Sequence, residues 1–112
     1  MIRLSKRACS LLGLACNAGL AVSGYTAVSQ LFDTNKIKLV LLSADASKNT
    51  IKLYSDKTLL LKVNFFISDD VNMCACVGHP ERKVIAVLDE GFAREILKEI
   101  NTLNVGVINS NE

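Results

Sequence analysis

Two stretches of this chain are apolar at nearly every position: residues 38–42, Lys-Leu-Val-Leu-Leu, and residues 84–88, Val-Ile-Ala-Val-Leu. Successive side chains of a strand point to opposite faces, so a strand that is aliphatic throughout must be covered on both sides. That requirement excludes an open, one-sided sheet and asks for helices above and below. The rest of the chain supplies them. Leu4, Ala8, Leu11 and Ala15 recur at helical spacing behind Ser5, a capping residue, and this helix should stop at Gly19. A short strand over 20–22 and a turn at Ser23-Gly24 lead into a second helix, 25–34, with Val28, Leu31 and Phe32 inward. Asn35 stands where a helix-ending glycine is expected, since asparagine tolerates positive φ.

After the first aliphatic run, Asp45 or Ser47 caps a helix over 48–58, and a strand follows over 63–67. Ser68-Asp69-Asp70 opens a short helix that ends at Gly78. The second aliphatic run precedes a last helix, 90–101, which should bury Phe92, Ile96, Ile100 and Leu103. Helices and strands therefore alternate, five against four. The expected fold class is α/β, a three-layer α/β/α sandwich with a four-stranded mixed sheet. Residues 1–103 make the domain and 104–112 a small, polar tail.

A chain of 112 residues, half of them apolar, is one globular domain. The net charge of +2 says little by itself, but its distribution says more. Residues 1–66 carry nine Lys/Arg against three acids, and residues 67–112 carry four against eight, so one half is suited to face phosphate. Cys9, Cys16, Cys74 and Cys76 sit among apolar neighbours, as reduced, buried cysteines do, and no C-x-x-C pair suggests a metal. Arg3, Lys6 and Arg7 ahead of an apolar stretch imitate an export signal. Ser10, Gly13, Asn17 and Gly19 dilute that stretch, it is too short for a bilayer, and a first helix accounts for the same residues. A cytoplasmic protein with no membrane segment is expected.

No P-loop, G-x-S-x-G or H-E-x-x-H motif is present. Asp69-Asp70 and Asp89-Glu90 lie at helix starts, where acids stabilise the helix dipole. The single histidine, His79, adjoins Pro80 in a turn. Neither a catalytic group nor a cofactor or metal is indicated. What stands out is a geometry: Gly24 feeds straight into a helix, presenting open backbone N–H groups that attract anions. Two readings stand open: Gly24 as a turn residue with Tyr25 a half-buried edge, or Gly24 admitting a nucleic-acid backbone, with Tyr25 as a ring for stacking and Thr26 as a hydroxyl.

The run from Leu12 to Ser47 carries a resemblance. Leu12-Gly13-Leu14-Ala15, Ala18-Gly19, Val22-Ser23-Gly24, the strand 39–42 and Asp45-Ala46-Ser47 follow the pattern L-G-L-A-x-R-A-G-x-x-V-S-G, helix, L-V-L-L-A-x-D-A-S. Arg82-Lys83-Val84-Ile85-Ala86-Val87 and Asp89-Glu90-Gly91-Phe92-Ala93 match farther on. These residues resemble the kink-turn-binding ribosomal proteins (large-subunit protein seven-Ae type), in their small bacterial YlxQ-like branch. The resemblance implies a non-catalytic RNA-binding protein that contacts structured RNA, kink-turn-like or ribosomal, with a protein partner on the ribosome as a further expectation.

It also implies the site. RNA would be gripped by Gly24, Tyr25, Thr26, Ala27 and Gln30, by Asp45, and by Gly78, His79 and Pro80, with Lys36, Lys38 and Lys48 attracting phosphate. The archetypal helix opens G-x-N-E-x-x-K, where this chain has Thr26, Ala27 and Gln30, and Asn17 replaces a common Arg. Two charge-assisted contacts are thereby absent. They motivate an alternative reading, a protein-interaction module that keeps the fold without the RNA site.

Overall fold

The computed structural model describes residues 1–105. The tail expected from residue 104 therefore lies, from 106 onward, outside the described residues. The elements are α1 (Lys6–Asn17), β1 (Ala21–Ser23), α2 (Tyr25–Ser29), β2 (Leu39–Ser43), α3 (Lys48–Leu61), β3 (Asn64–Ser68), β4 (Val84–Val87) and α4 (Glu90–Leu103). Two 3-10 segments, Phe32–Thr34 and Met73–Val77, complete the set.

The four strands form one mixed sheet in the order β1-β4-β2-β3. β2 and β3 run parallel, while β4 is antiparallel to both of its neighbours, β1 and β2. The two aliphatic runs are thus the two central strands, and every residue of each is buried. Their side chains alternate between two cores. Leu39, Leu41, Ile85, Val87 and Phe66 pack with Leu12 and Ala15 of α1 and Ile96 and Ile100 of α4. Val40, Leu42, Val84, Ala86 and Phe65 pack on the other face with Val28, Phe32 and Tyr54. The three-layer α/β/α arrangement inferred from uninterrupted apolarity is the one observed.

Ser5, Ser47 and Asp89 cap α1, α3 and α4, each side-chain oxygen accepting a backbone N–H of the first turn. Gly13 allows α1 to press on the Met73–Val77 segment: a methyl at position 13 would lie 2.8 Å from the Cys76 carbonyl oxygen. Asn104 ties the end of α4 to Arg3, its side chain accepting the Arg3 N–H and donating to the Arg3 carbonyl, both at 2.8 Å.

Three local expectations change. The helix expected over 25–34 stops at Ser29, and a separate 3-10 turn carries Phe32 inward. Thr34 Oγ1 donates to the Leu31 carbonyl at 2.6 Å, a local side-chain bond that competes with helix continuation, and Asn35 then turns the chain at φ 63°. The short helix before Gly78 is a 3-10 segment. Asp70 accepts the Asn72 N–H at 2.9 Å, and Cys76 Sγ donates to the Met73 carbonyl at 2.9 Å, which favours the tighter winding. Leu103, expected inside, is 39% exposed at the end of α4.

Candidate nucleic-acid interface

One end of the sheet brings together the last residues of β1 and β2 and the first of β4. The Gly24 N–H donates to the Val84 carbonyl at 2.9 Å, so the turn after β1 is tied to the mouth of the central strand. Gly24 sits at φ 97°, ψ 148°, a region nearly reserved for glycine, and α2 begins immediately. No side chain caps that helix start.

Tyr54 of α3 holds α2 in place. It is fully buried, and its hydroxyl lies 3.3 Å from both the Tyr25 carbonyl, to which it donates, and Ser29 Oγ. Burial raises its pKa, keeping the phenol protonated and a donor. The Tyr25 ring meets the Tyr54 ring edge-on, centroids 6.0 Å apart, while staying 53% exposed.

Arg82 reaches across this turn from the segment before β4. Its Nη1 donates to Ser23 Oγ at 2.8 Å and lies 3.4 Å from the Ser23 carbonyl, with Glu81 3.8 Å from Nε. Its stem passes 3.3 Å from where a Gly24 Cβ would be, so only glycine leaves the guanidinium this path freely. Beside it, Lys83 Nζ donates to Asp45 at 2.8 Å, and Ser43 Oγ donates to the same carboxylate. The Lys83 bond, then the Ser43 bond, hold the Asp45 carboxyl below its usual range.

Two grooves open on either side of this ridge. One, of about 450 Å³, runs between Tyr25 and the Ala46–Ser47 turn, with Asp45, Arg82 and Lys83 on its rim. The other, of about 460 Å³, is lined by Ser23, Thr26, Ala27 and Gln30. Gly24, Tyr25 and Arg82 form the wall between them.

The expected residues thus divide. Gly24, Tyr25, Thr26, Ala27 and Gln30 come together, Asp45 joins them across the first groove, and exposed Lys48 opens α3 just beyond Ser47. Gly78, His79 and Pro80 line neither groove. Gly78 turns the chain at φ 84°, the His79 imidazole lies 3.5 Å from Glu81, and the His79 carbonyl accepts the Arg82 N–H at 3.0 Å. Lys36 and Lys38 lie at the opposite end of β2, where the Lys38 N–H meets the Val87 carbonyl at 2.8 Å.

Sequence reasoning passed over Arg82, Lys83 and Tyr54 as site residues. For the first two a signal existed: paired cations at the mouth of a buried strand, where side chains emerge from the sheet edge. Open amides, a guanidinium, a hydroxyl and an exposed aromatic ring suit recognition of a phosphodiester backbone and a base. Among the described residues no group of three or more His, Cys, Asp and Glu is placed to hold a metal, and no helix is long and apolar enough to cross a membrane.

No protein-family model matches the chain. It is 39% identical over 88 residues to the RNA-binding protein YlxQ of Bacillus subtilis, covering 78% of this chain and 88% of that protein. It is 33% identical over 91 residues to the RNA-binding protein YlxQ of Enterococcus faecium, covering 80% and 87%. A solved structure of a Bacillus halodurans protein of unknown function superposes with a TM-score of 0.79 at 32% identity, over 87% of this chain and 99% of that one. The two curated relatives match in sequence over most of their own length and of this chain: the chain belongs to the YlxQ family.

Proposed function

We propose that the protein is a non-catalytic RNA-binding protein whose Gly24–Tyr25–Arg82 ridge engages structured RNA of the kink-turn or ribosomal kind. The observation that carries this reading is the guanidinium laid over a glycine turn beside an uncapped helix start. It puts a fixed cation and free backbone donors within reach of one bent phosphate backbone. The RNA-binding names of the two YlxQ relatives support it. Thr26 and Gln30 supply hydrogen bonds where the archetype has Asn and Lys, so shape and backbone contacts carry the recognition. Gly78, His79 and Pro80 act by positioning Arg82, and Lys48 adds phosphate attraction at the edge of the first groove.

The test measures affinity for a kink-turn hairpin against a scrambled duplex at two salt concentrations, with wild type and Arg82→Ala. Tighter binding to the hairpin, weakened by the substitution, is expected. Equal, very weak binding to both RNAs, unchanged in Arg82→Ala, overturns the reading.

A protein-interaction module is the second reading. Leu59 and Leu60 favour it, 57% and 78% exposed on the outer side of α3. It predicts a protein partner that survives nuclease and high salt during purification.

A further inference from the structure

The end of the sheet away from Gly24 holds a second charged concavity. A hollow of about 260 Å³ lies between the start of β2 and α4, edged by Lys38, Asn64 and Arg94. A neighbouring hollow of about 290 Å³ is edged by Asn35, Lys38, Lys62 and Asn64. Lys38 and Asn64 belong to both, so the two form one trough across the ends of the parallel pair β2 and β3. Asn35 at φ 63° and Lys62 at φ 58° turn the chain sharply at its borders.

The charge state of this trough differs from that of the tip. At the tip, Lys83 is engaged by Asp45 and Arg82 by Ser23 and Glu81. Among the described residues, Lys36, Lys38, Lys62 and Arg94 make no ion pair within 4.0 Å, and Glu90 is the one acid lining either hollow. A cation with no protein partner has no ion pair to break when phosphate arrives, and each phosphate it neutralises releases counterions condensed on the nucleic acid, which drives binding.

We propose that this trough is a second phosphate-binding site that takes an RNA backbone through Lys38, Lys62 and Arg94, with Lys36 beside it. Its ligand class rests on the RNA-binding reading of the tip; its position does not. β2 runs from one site to the other, and the four steps from Leu39 to Ser43 span about 13 Å. The protein therefore engages two separate stretches of backbone, one at each end of the sheet. The concave shape, with a mainly polar second hollow, suits a thread of phosphates better than a flat lipid surface.

The experiment titrates the isotopically labelled full chain with a 12-nucleotide polyuridylate and, separately, with a kink-turn hairpin, following backbone amide resonances. With polyuridylate, the amides of Lys38, Lys62 and Arg94 are expected to move. The triple variant Lys38→Gln, Lys62→Asn, Arg94→Gln should abolish those shifts; Asn is used at 62 because it tolerates the left-handed backbone. With three contacts removed, the log–log salt slope should fall by about 2. Arg82→Ala should leave the trough shifts intact.

Shifts scattered over the whole surface, or a triple variant with the wild-type slope, overturn the proposal. Anionic phosphatidylserine vesicles or polyglutamate moving the same amides at lower concentration than polyuridylate overturn RNA as the occupant. Hairpin binding at the tip with a silent trough refutes the second site alone. A responsive trough with no hairpin preference at the tip refutes the proposed function and leaves the second site standing.

Discussion

Replacing Gly24 with alanine separates two reasons for a glycine at the ridge. One is the backbone: φ 97°, ψ 148° is a conformation that residues with a Cβ scarcely adopt, at a cost of about 1–3 kcal/mol. The other is the neighbour: the new methyl would sit 3.3 Å from the Arg82 stem, a close approach to a flexible chain that yields by a few tenths of an ångström. The first effect should dominate. Gly24→Ala should therefore lose about 2–3 kcal/mol in urea unfolding, and Arg82→Ala should not restore it. In the double-mutant cycle the coupling between these two touching residues should stay smaller than the backbone cost itself, about 2–3 kcal/mol. Hairpin binding should fall with Gly24→Ala under conditions where it remains folded, because the turn that seats Arg82 relaxes. A Gly24→Ala protein as stable as wild type, or a double variant that recovers most of the loss, would show that the backbone is not held where the argument requires.

Gly13→Ala adds a methyl 2.8 Å from a backbone oxygen, so overpacking of about 3 kcal/mol should outweigh the helix-propensity gain of about 1 kcal/mol. A lower thermal midpoint is expected, and an unchanged or higher one would mean that α1 does not press on the Cys76 segment. Asp45→Asn should free Lys83 and remove a negative charge from the groove, strengthening binding to duplex RNA and steepening its salt dependence; weaker binding would make Asp45 a direct RNA contact. Because the Asp45 pKa is lowered on folding, its stabilisation is present above the ordinary carboxylate range and is lost as pH falls through the folded value. Wild type and Asp45→Asn should thus converge in stability in acid, as unfolding at pH 7 and in strong acid can check.

Cys9 is chemically distinct from Cys74. The neighbouring Cys76 thiol lowers the Cys9 pKa to about 7, against opposing burial, while burial raises Cys74 to about 11. Limiting iodoacetamide near pH 7.5 should label Cys9 well before Cys74, read by peptide mass; equal labelling would contradict the thiol contact.

Much of this molecule was legible because its decisive signals are local. The runs at 39–42 and 84–87 demanded cover on both faces, and Leu39–Leu41 and Val40–Leu42 do enter opposite cores. Caps at Ser5, Ser47 and Asp89, and the turns at Gly19, Asn35 and Gly78, follow from side-chain chemistry within four residues. The ridge was half legible: Gly24 to Gln30 are neighbours in the chain, whereas Arg82 joins them through strand order, which no periodicity encodes. Nor does any periodicity show where Lys36 and Lys38 stand: the direction of β2 in the sheet puts them at the end away from the ridge. The 3-10 winding before Gly78 depends on the Asp70 turn and the Cys76 thiol, which a helical pattern over-reads.

β4 is made last of the strands yet lies inside the sheet, between β1 and β2. During synthesis, β1 has no hydrogen-bonded neighbour until residues 84–87 have emerged, and the Gly24 amide has no carbonyl to meet until Val84 arrives. The nascent chain therefore carries the residues of α1, α2 and α3 before it can complete the tip. Completion of the ridge is timed by the ribosome's own progress: a copy not yet extended past Val84 has no formed ridge.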